Sequence, residues 1–173
     1  ENIKWIHELF DNIGIKEGDK IAIVGKNKIN WAVTYLAALT YGTVVVPILT
    51  DFHDKDIEHI INHSDAKLLF IDTSIFESIE LEGLKKVDLV LELSNFKHIY
   101  SKKTKFQKLL EKSKRNFVSP TDNKISLQNI PNDSLAEIMY TSGSTGFSKG
   151  VMVSYNNLVA NIVFAINNMP LDS

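Results

Sequence analysis

Cysteine is absent from the 173 residues. A disulfide scaffold, a thiolate metal site and a cysteine nucleophile are therefore all excluded. The absence fits a reducing compartment, and the expected location is cytoplasmic. An excess of charge is missing as well: 19 basic residues stand against 21 acidic ones, leaving −2 at pH 7. That argues against a general nucleic-acid binder, whose signature is a basic excess. The composition of a disordered chain is not found either, since 44% of the residues are hydrophobic and 23% charged, an ordinary globular balance. No internal repeat and no low-complexity tract occurs. The opening Glu1-Asn2-Ile3-Lys4 runs into an amphipathic stretch, not an apolar export signal. The length suits one domain, at about 100–200 residues each.

One long stretch lacks charge altogether, from Ile29 to Thr50. Its length would span a bilayer. It also holds Asn30, Gly42 and Pro47, together with four Thr and two Tyr. These breakers favour a buried helix over Trp31–Tyr41, a glycine turn, and a buried strand over Thr43–Pro47. The helix is apolar nearly all round, so burial on most faces is expected.

The rest of the first half alternates in the same way. Ile3, Ile6, Phe10 and Ile13 recur at helical spacing, and Gly14 supplies a stop. Lys20–Gly25 reads as a strand, Asp54–His63 as a surface helix striped by Ile57, Ile60 and Ile61, and Lys67–Ile71 as a strand. Ser74–Leu84 reads as a helix and Val87–Leu91 as a fourth strand. Strands alternating with helices predict an α/β fold with an open, mostly parallel sheet and helices on both faces. The pattern loosens after Leu93. Lys102–Arg115 carries seven basic residues and one acid, with Phe106, Leu109 and Leu110 on an apolar helical face. It reads as a solvated helix face; the alternative is contact with an anionic partner, whether a membrane surface, nucleic acid or an acidic protein. Residues 117–134 read as a connecting loop.

Chemistry concentrates further on. Leu135–Tyr140 reads as a strand, Val151–Val153 as another, and Ser154 as the cap of a helix running from Tyr155 towards Met169. Between the strands lies Thr141-Ser142-Gly143-Ser144-Thr145-Gly146-Phe147-Ser148-Lys149-Gly150. Its three glycines permit close backbone approach. Thr141, Ser142, Ser144 and Thr145 bring hydroxyls, successive N–H groups of a tight turn form an anion nest, and Lys149 adds a mobile ammonium. The group that uses all of these is a polyphosphate. The loop is not the G-x-x-x-x-G-K-[ST] type, because Ser148 and Gly150 break that spacing.

Other constellations are weaker. His59 and His63 lie four apart on one helix near His53, Asp54 and Asp56, but Ile60 breaks the H-E-x-x-H pattern, and a solvated face is expected. Trp31, Tyr35 and Leu39 form a stripe that reads as core packing. No serine sits in a G-x-S-x-G elbow.

The stretch Tyr140–Gly150 resembles the signature loop of the adenylate-forming (AMP-binding) enzymes, among them acyl-CoA synthetases, luciferases and peptide-synthetase adenylation domains. The usual pattern has Pro where Ser148 stands and often His where Tyr155 stands; neither departure removes a phosphate donor. Gly18–Ile23, Trp31–Pro47 and Asp133–Tyr140 are similar to the same family, and Ile60–Leu68 resembles its long-chain fatty acyl-CoA synthetase branch. The resemblance implies that a carboxylate attacks the α-phosphate of ATP, and that a thiol, usually that of coenzyme A, then accepts the acyl group. It implies that Thr141, Ser142, Gly143, Ser144, Thr145, Gly146 and Lys149 hold ATP phosphates. Lys149 is then the catalytic residue, offsetting charge on the departing pyrophosphate, and Thr141 is the Mg²⁺ contact.

The family's later motifs and its small C-terminal domain do not occur in residues 1–173. The resemblance therefore implies an incomplete N-terminal portion of the large domain, inactive alone and exposing apolar surface that invites self-association. The expected partners are ATP, fatty acid, coenzyme A and the rest of its own chain, with peripheral membrane contact through the basic stretch and no nucleic acid. Two alternatives stay open: a non-catalytic nucleotide-binding or scaffold module, and an adenylating enzyme for a different carboxylic acid.

Overall fold

The computed structural model describes residues 2–116, 129–141 and 148–169. The chain opens with helix α1 (Asn2–Ile13), which turns Trp5, Ile6, Leu9 and Phe10 inward. That spacing places all four on one helical face. Gly14 ends the helix at φ 81°, a conformation that glycine adopts without a Cβ penalty, and the Ile15 N–H returns to the Phe10 carbonyl at 2.9 Å. Strand β1 (Lys20–Val24), helix α2 (Ile29–Tyr41) and strand β2 (Val44–Ile48) follow. Gly42, at φ 85°, caps α2 and turns the chain into β2.

Next come α3 (Asp54–His63), β3 (Leu68–Ile71), the single turn α4 (Thr73–Phe76), a 3₁₀ turn (Leu81–Gly83), β4 (Leu89–Glu92), β5 (His98–Ser101) and α5 (Thr104–Asn116). The last three elements are β6 (Leu135–Thr141), β7 (Lys149–Ser154) and α6 (Tyr155–Asn168). All seven strands join one sheet in the order β5-β4-β3-β1-β2-β6-β7. The five central strands run parallel, and β5 and β7 pair antiparallel at the two edges. The expected open, mostly parallel α/β sheet is therefore present.

The two faces follow from the connections. The β1-α2-β2 crossover moves one way along the sheet and β2-α3-β3 moves back past β1. Right-handed crossovers then put α2 and α3 on opposite faces. Accordingly, one core joins α1, α2 and α5 to the sheet through Leu9, Phe10, Ala38, Phe70 and Leu110. The other seats α3 through Ile57, Ile60 and Ile61 against Val24, Val46 and Leu69. Strands covered on both faces need apolar side chains where both faces are packed, which is why Ile21–Val24 of β1, all of β3 and Leu89–Leu91 of β4 read as hydrophobic runs.

Three expectations require correction. Ser74–Leu84 is not one helix. Side chains of α3 capture the backbone of this segment instead: Glu58 accepts from the Glu80 N–H at 2.8 Å, and Asn62 accepts from the Lys85 N–H at 3.0 Å and donates to the Gly83 carbonyl at 2.6 Å. Local polar capture of this kind competes with the helical ladder. The loosened stretch after Leu93 contains a fifth strand, β5, too short and mixed in polarity to read. It follows a turn in which Phe96 takes φ 57° and packs on Trp5 and Phe70 at centroid distances of 5.2 and 6.0 Å. Helix α2 is not covered on most faces: Thr34, Ala37, Ala38 and Tyr41 are buried, while Ile29 is 81% and Leu36 48% exposed. Most of the expected 117–134 connection lies outside the described residues. Among those described, no helix is long and apolar enough to cross a membrane.

Candidate functional site

The parallel strands end together, and ligands of open α/β sheets bind beyond those carboxyl ends. Strand β6 is the last of them. It pairs with β7 so that Thr141 lies directly opposite Lys149, Tyr140 opposite Gly150 and Met139 opposite Val151. Thr141 and Lys149 are both exposed. The two outermost members of the expected phosphate-binding set are thus brought together across one hairpin. The other five, Ser142, Gly143, Ser144, Thr145 and Gly146, lie outside the described residues.

Alternation along β6 sends its polar side chains to opposite faces. Glu137 is buried on the α2 side, where the Tyr35 hydroxyl donates to its carboxylate at 2.8 Å. Burial raises the Glu137 pKa, and the Tyr35 hydrogen bond opposes that rise. Burial and the same carboxylate push the Tyr35 phenol up. Tyr140 is buried on the α3 side. Its hydroxyl shares a 2.7 Å hydrogen bond with His63 Nδ1, and the two rings meet edge to face at 5.8 Å. Burial raises the Tyr140 pKa, with a smaller contribution from Asp65.

Gly150 has a reason to lack a side chain. A Cβ there would stand 2.9 Å from Ile138 Cγ2 and 3.3 Å from Tyr140 Cζ. The Tyr140 ring occupies that space, the arrangement by which an aromatic covers a cross-strand glycine. Beyond the hairpin, the Ser154 side chain accepts from the Asn157 N–H while Asn157 answers at the Ser154 N–H, a reciprocal box that starts α6 where Ser154 was expected to cap it. The Tyr155 hydroxyl donates to the Leu39 carbonyl of α2 at 2.7 Å. Burial, with Glu17 adding a little, pushes the Tyr155 phenol up to about 12.

A cavity of about 380 Å³ opens at the ends of β1, β2 and β6, walled by Trp31, Pro47, Leu49 and Tyr140 with Lys26 among its lining. A wider crevice of about 600 Å³ lies where the strand order reverses about β1, between Lys26, Lys28, Asp72 and Ser94. Trp31 stacks on Tyr35 at 5.2 Å and lines both. It is therefore only partly the core residue expected of it, although Tyr35 and Leu39 do pack against the core.

The remaining candidates are less concentrated. His59 and His63 stand ring to ring at 5.5 Å on α3. Among the described residues no group of three or more His, Asp or Glu side chains could hold a metal. In α5, Phe106 and Leu110 are buried while Lys105, Lys108 and Lys112 face solvent, and so does Lys103 just before it, as expected of a solvated face. Sequence reading missed the Tyr35–Glu137 and His63–Tyr140 pairs. A signal for the first was present, since Glu137 is the one charge in an otherwise apolar strand.

A sequence model described as "AMP-binding enzyme" matches residues 8–172. The chain is 29% identical over 160 residues to the medium-chain fatty-acid–CoA ligase of Escherichia coli K12, covering 85% of this chain and 26% of that protein. It is 30% identical over 166 residues to fatty acyl-CoA synthetase A of Dictyostelium discoideum, covering 88% and 23%. Its fold is similar to that of a fatty acyl-adenylate ligase from L. pneumophila, solved with acyl adenylate and pyrophosphate. The TM-score is 0.70 at 21% identity, covering 99% of this chain and 27% of that one. The chain thus spans about a quarter of the length of these curated relatives.

Proposed function

The chain belongs to the AMP-binding enzyme family, and from that premise we propose that it carries the phosphate-binding hairpin of an ATP-dependent acid–thiol ligase. In this reading residues 1–173 are the N-terminal portion of the large domain, and the small C-terminal domain lies beyond them. The acid is a long-chain fatty acid, as the Ile60–Leu68 resemblance suggests, and coenzyme A is the acceptor. The observation that carries the reading is the Thr141–Lys149 pair. The residues that carry a hydroxyl and an ammonium are register partners at the carboxyl end of β6 and flank a Ser/Thr/Gly-rich connection.

The chemistry of that pair suits ATP. The Lys149 ammonium offers three donors and a full charge to phosphate oxygens, and it is worth most where charge builds on the departing pyrophosphate. Ser142, Gly143, Ser144, Thr145 and Gly146 supply hydroxyls and N–H groups to the same phosphates. Thr141 would give Mg²⁺ a single protein oxygen, which suits an ion that keeps several waters and leans on substrate phosphates; the ion would neutralise charge on those phosphates. Residues 1–173 alone do not complete adenylation in this reading. Peripheral membrane contact through the exposed lysines at and just before the start of α5 is a further part of it. Unchanged liposome binding after Lys102, Lys103 and Lys105 are neutralised would remove that part alone.

The test is pyrophosphate release by the full-length protein with ATP and Mg²⁺ across a panel of carboxylic acids. Stimulation by long-chain acids supports the whole reading. A response confined to medium-chain, short or aromatic acids keeps adenylation and discards the long-chain assignment. No response to any acid turns the reading towards a non-catalytic nucleotide-binding or scaffold module.

A further inference from the structure

We propose that His63 is a positioning residue for the phosphate-binding hairpin, acting through its hydrogen bond to the Tyr140 hydroxyl. The proposal rests on the adenylation reading above and adds a residue from a different element, α3, to that site. Tyr140 immediately precedes Thr141, and its register partner Gly150 immediately follows Lys149. The Tyr140 ring lies against Gly150. One side chain therefore touches both stems of the hairpin, a single residue away from the two functional groups.

Packing alone lets a tyrosine ring tilt about its side-chain torsions, whereas a hydrogen bond at the far end of the ring fixes the tilt. His63 supplies that bond at 2.7 Å. Its own helix is firmly seated, with Ile57, Ile60 and Ile61 at or near zero exposure. The strand that carries Lys149 takes its place from β6: β7 is an edge strand paired on that one side, with Val151 and Met152 exposed. A seated helix thus locates, through one hydroxyl, the Tyr140–Thr141 stem, and the ladder carries that placement across to Lys149. Displacements of the order of 1 Å from outside the chemistry can cost roughly 10²-fold in rate.

The experiment uses the full-length protein and compares wild type with His63→Ala, His63→Asn, Tyr140→Phe and the double variant His63→Ala/Tyr140→Phe. Asparagine can place a polar nitrogen or oxygen close to the position of Nδ1. The readouts are kcat and KM for ATP in pyrophosphate release, with the thermal midpoint recorded alongside. The expected result is a loss of about tenfold in kcat/KM for ATP in His63→Ala and in Tyr140→Phe. The double variant should be no worse than either single one, and His63→Asn should recover most of the loss. Unchanged kcat/KM in the single variants overturns the proposal, whatever happens to the midpoint. So do losses that multiply in the double variant. A wild-type protein inactive with every acid overturns the adenylation reading first, and the proposal falls with it.

Discussion

Helices α2 and α6 are nearly equal in length and both strongly apolar, yet they end in opposite situations. The 13 residues of α2 bury Thr34, Ala37, Ala38 and Tyr41. The 14 residues of α6 bury none, and Val159, Ile162, Val163, Phe164 and Ile166 are all about half exposed or more. Apolar sequence is a demand for burial; another element has to meet it. For α2 that element is α1, laid alongside it with the sheet beneath. The contrast extends to the units that carry the two helices. The β1–β5 unit holds most of both apolar cores, whereas the β6-β7-α6 arm contributes Tyr140 to one of them and joins the sheet along β2, where Val45 stands opposite Glu137. Three tyrosine hydroxyls tie the arm down: Tyr35 to Glu137, Tyr140 to His63 and Tyr155 to Leu39. An apolar face as broad as that of α6 marks an interaction surface, so self-association of the 173-residue chain is expected to run through it.

The largest expected effect tests whether the two regions differ in stability. Phe70 is fully buried at the centre of the β1–β5 unit, and Phe70→Ala should cost about 3–5 kcal/mol. Phe164 on α6 is 63% exposed, and Phe164→Ala should stay within about 0.5 kcal/mol. Urea unfolding of the two variants side by side measures the gap. Equal losses would mean that α6 is covered in solution, and the comparison would break.

The second effect separates function from stability within the arm. Lys149 is exposed, so Lys149→Ala should leave the unfolding midpoint where it is. Pyrophosphate formation by the full-length protein should nonetheless fall by about 10²–10³-fold, the range for removing one preorganised charge-stabilising donor. A loss below about threefold would deny Lys149 its role.

Much of this division was legible in the sequence, for physical reasons that differ by element. Strands β1, β2 and β3 announced themselves because parallel strands covered on both faces admit no polar residue. Asp54–His63 matched α3 end to end, since its isoleucine stripe meets one core. The strand–loop–strand order of the hairpin was legible because apolar runs flank a stretch rich in glycine, serine and threonine, although the strands reach further than expected, to Thr141 and back from Lys149. Polar contacts between distant segments were not legible. Glu58 and Asn62 broke up the expected Ser74–Leu84 helix from 20 or so residues away, and Tyr140 found His63 across 77 positions. Such pairings depend on the finished topology, which no local period encodes.

A third, smaller effect sharpens the picture of how the arm is held. Tyr35→Phe removes the hydroxyl that donates to Glu137 and leaves a buried carboxylate without that partner. The cost should be about 1–3 kcal/mol. It should show as faster amide exchange in β6 than in β1, because local opening draws first on the less anchored unit. Uniform acceleration across both strands would mean that the arm and the β1–β5 unit open together.

The smallest effect uses pH to pull the two regions in opposite directions. His7, on α1, places Nε2 3.0 Å from the Ala37 carbonyl and 3.1 Å from the Thr40 hydroxyl. Burial lowers its pKa below 6.5, and the Ala37 carbonyl and Asp11 only partly offset this. The folded state then binds the proton less readily than the unfolded chain. The α1–α2 contact therefore loses stability as pH falls from 6.5 through the folded value. Glu137 has the opposite sign. Its pKa is raised above 4.5, so the cost of burying its charge is full only above the raised value. That cost is relieved as pH falls through the raised value towards 4.5. His7→Gln should therefore flatten the loss of stability between pH 7.5 and 5.5. Glu137→Gln, whose amide oxygen still accepts from Tyr35, should be more stable than wild type at pH 7.5, with an advantage that shrinks on acidification. Urea midpoints of both variants across that range read the two slopes. Slopes of the same sign would show that one titrating group governs both regions, and the distinction drawn between them would not extend to their electrostatics.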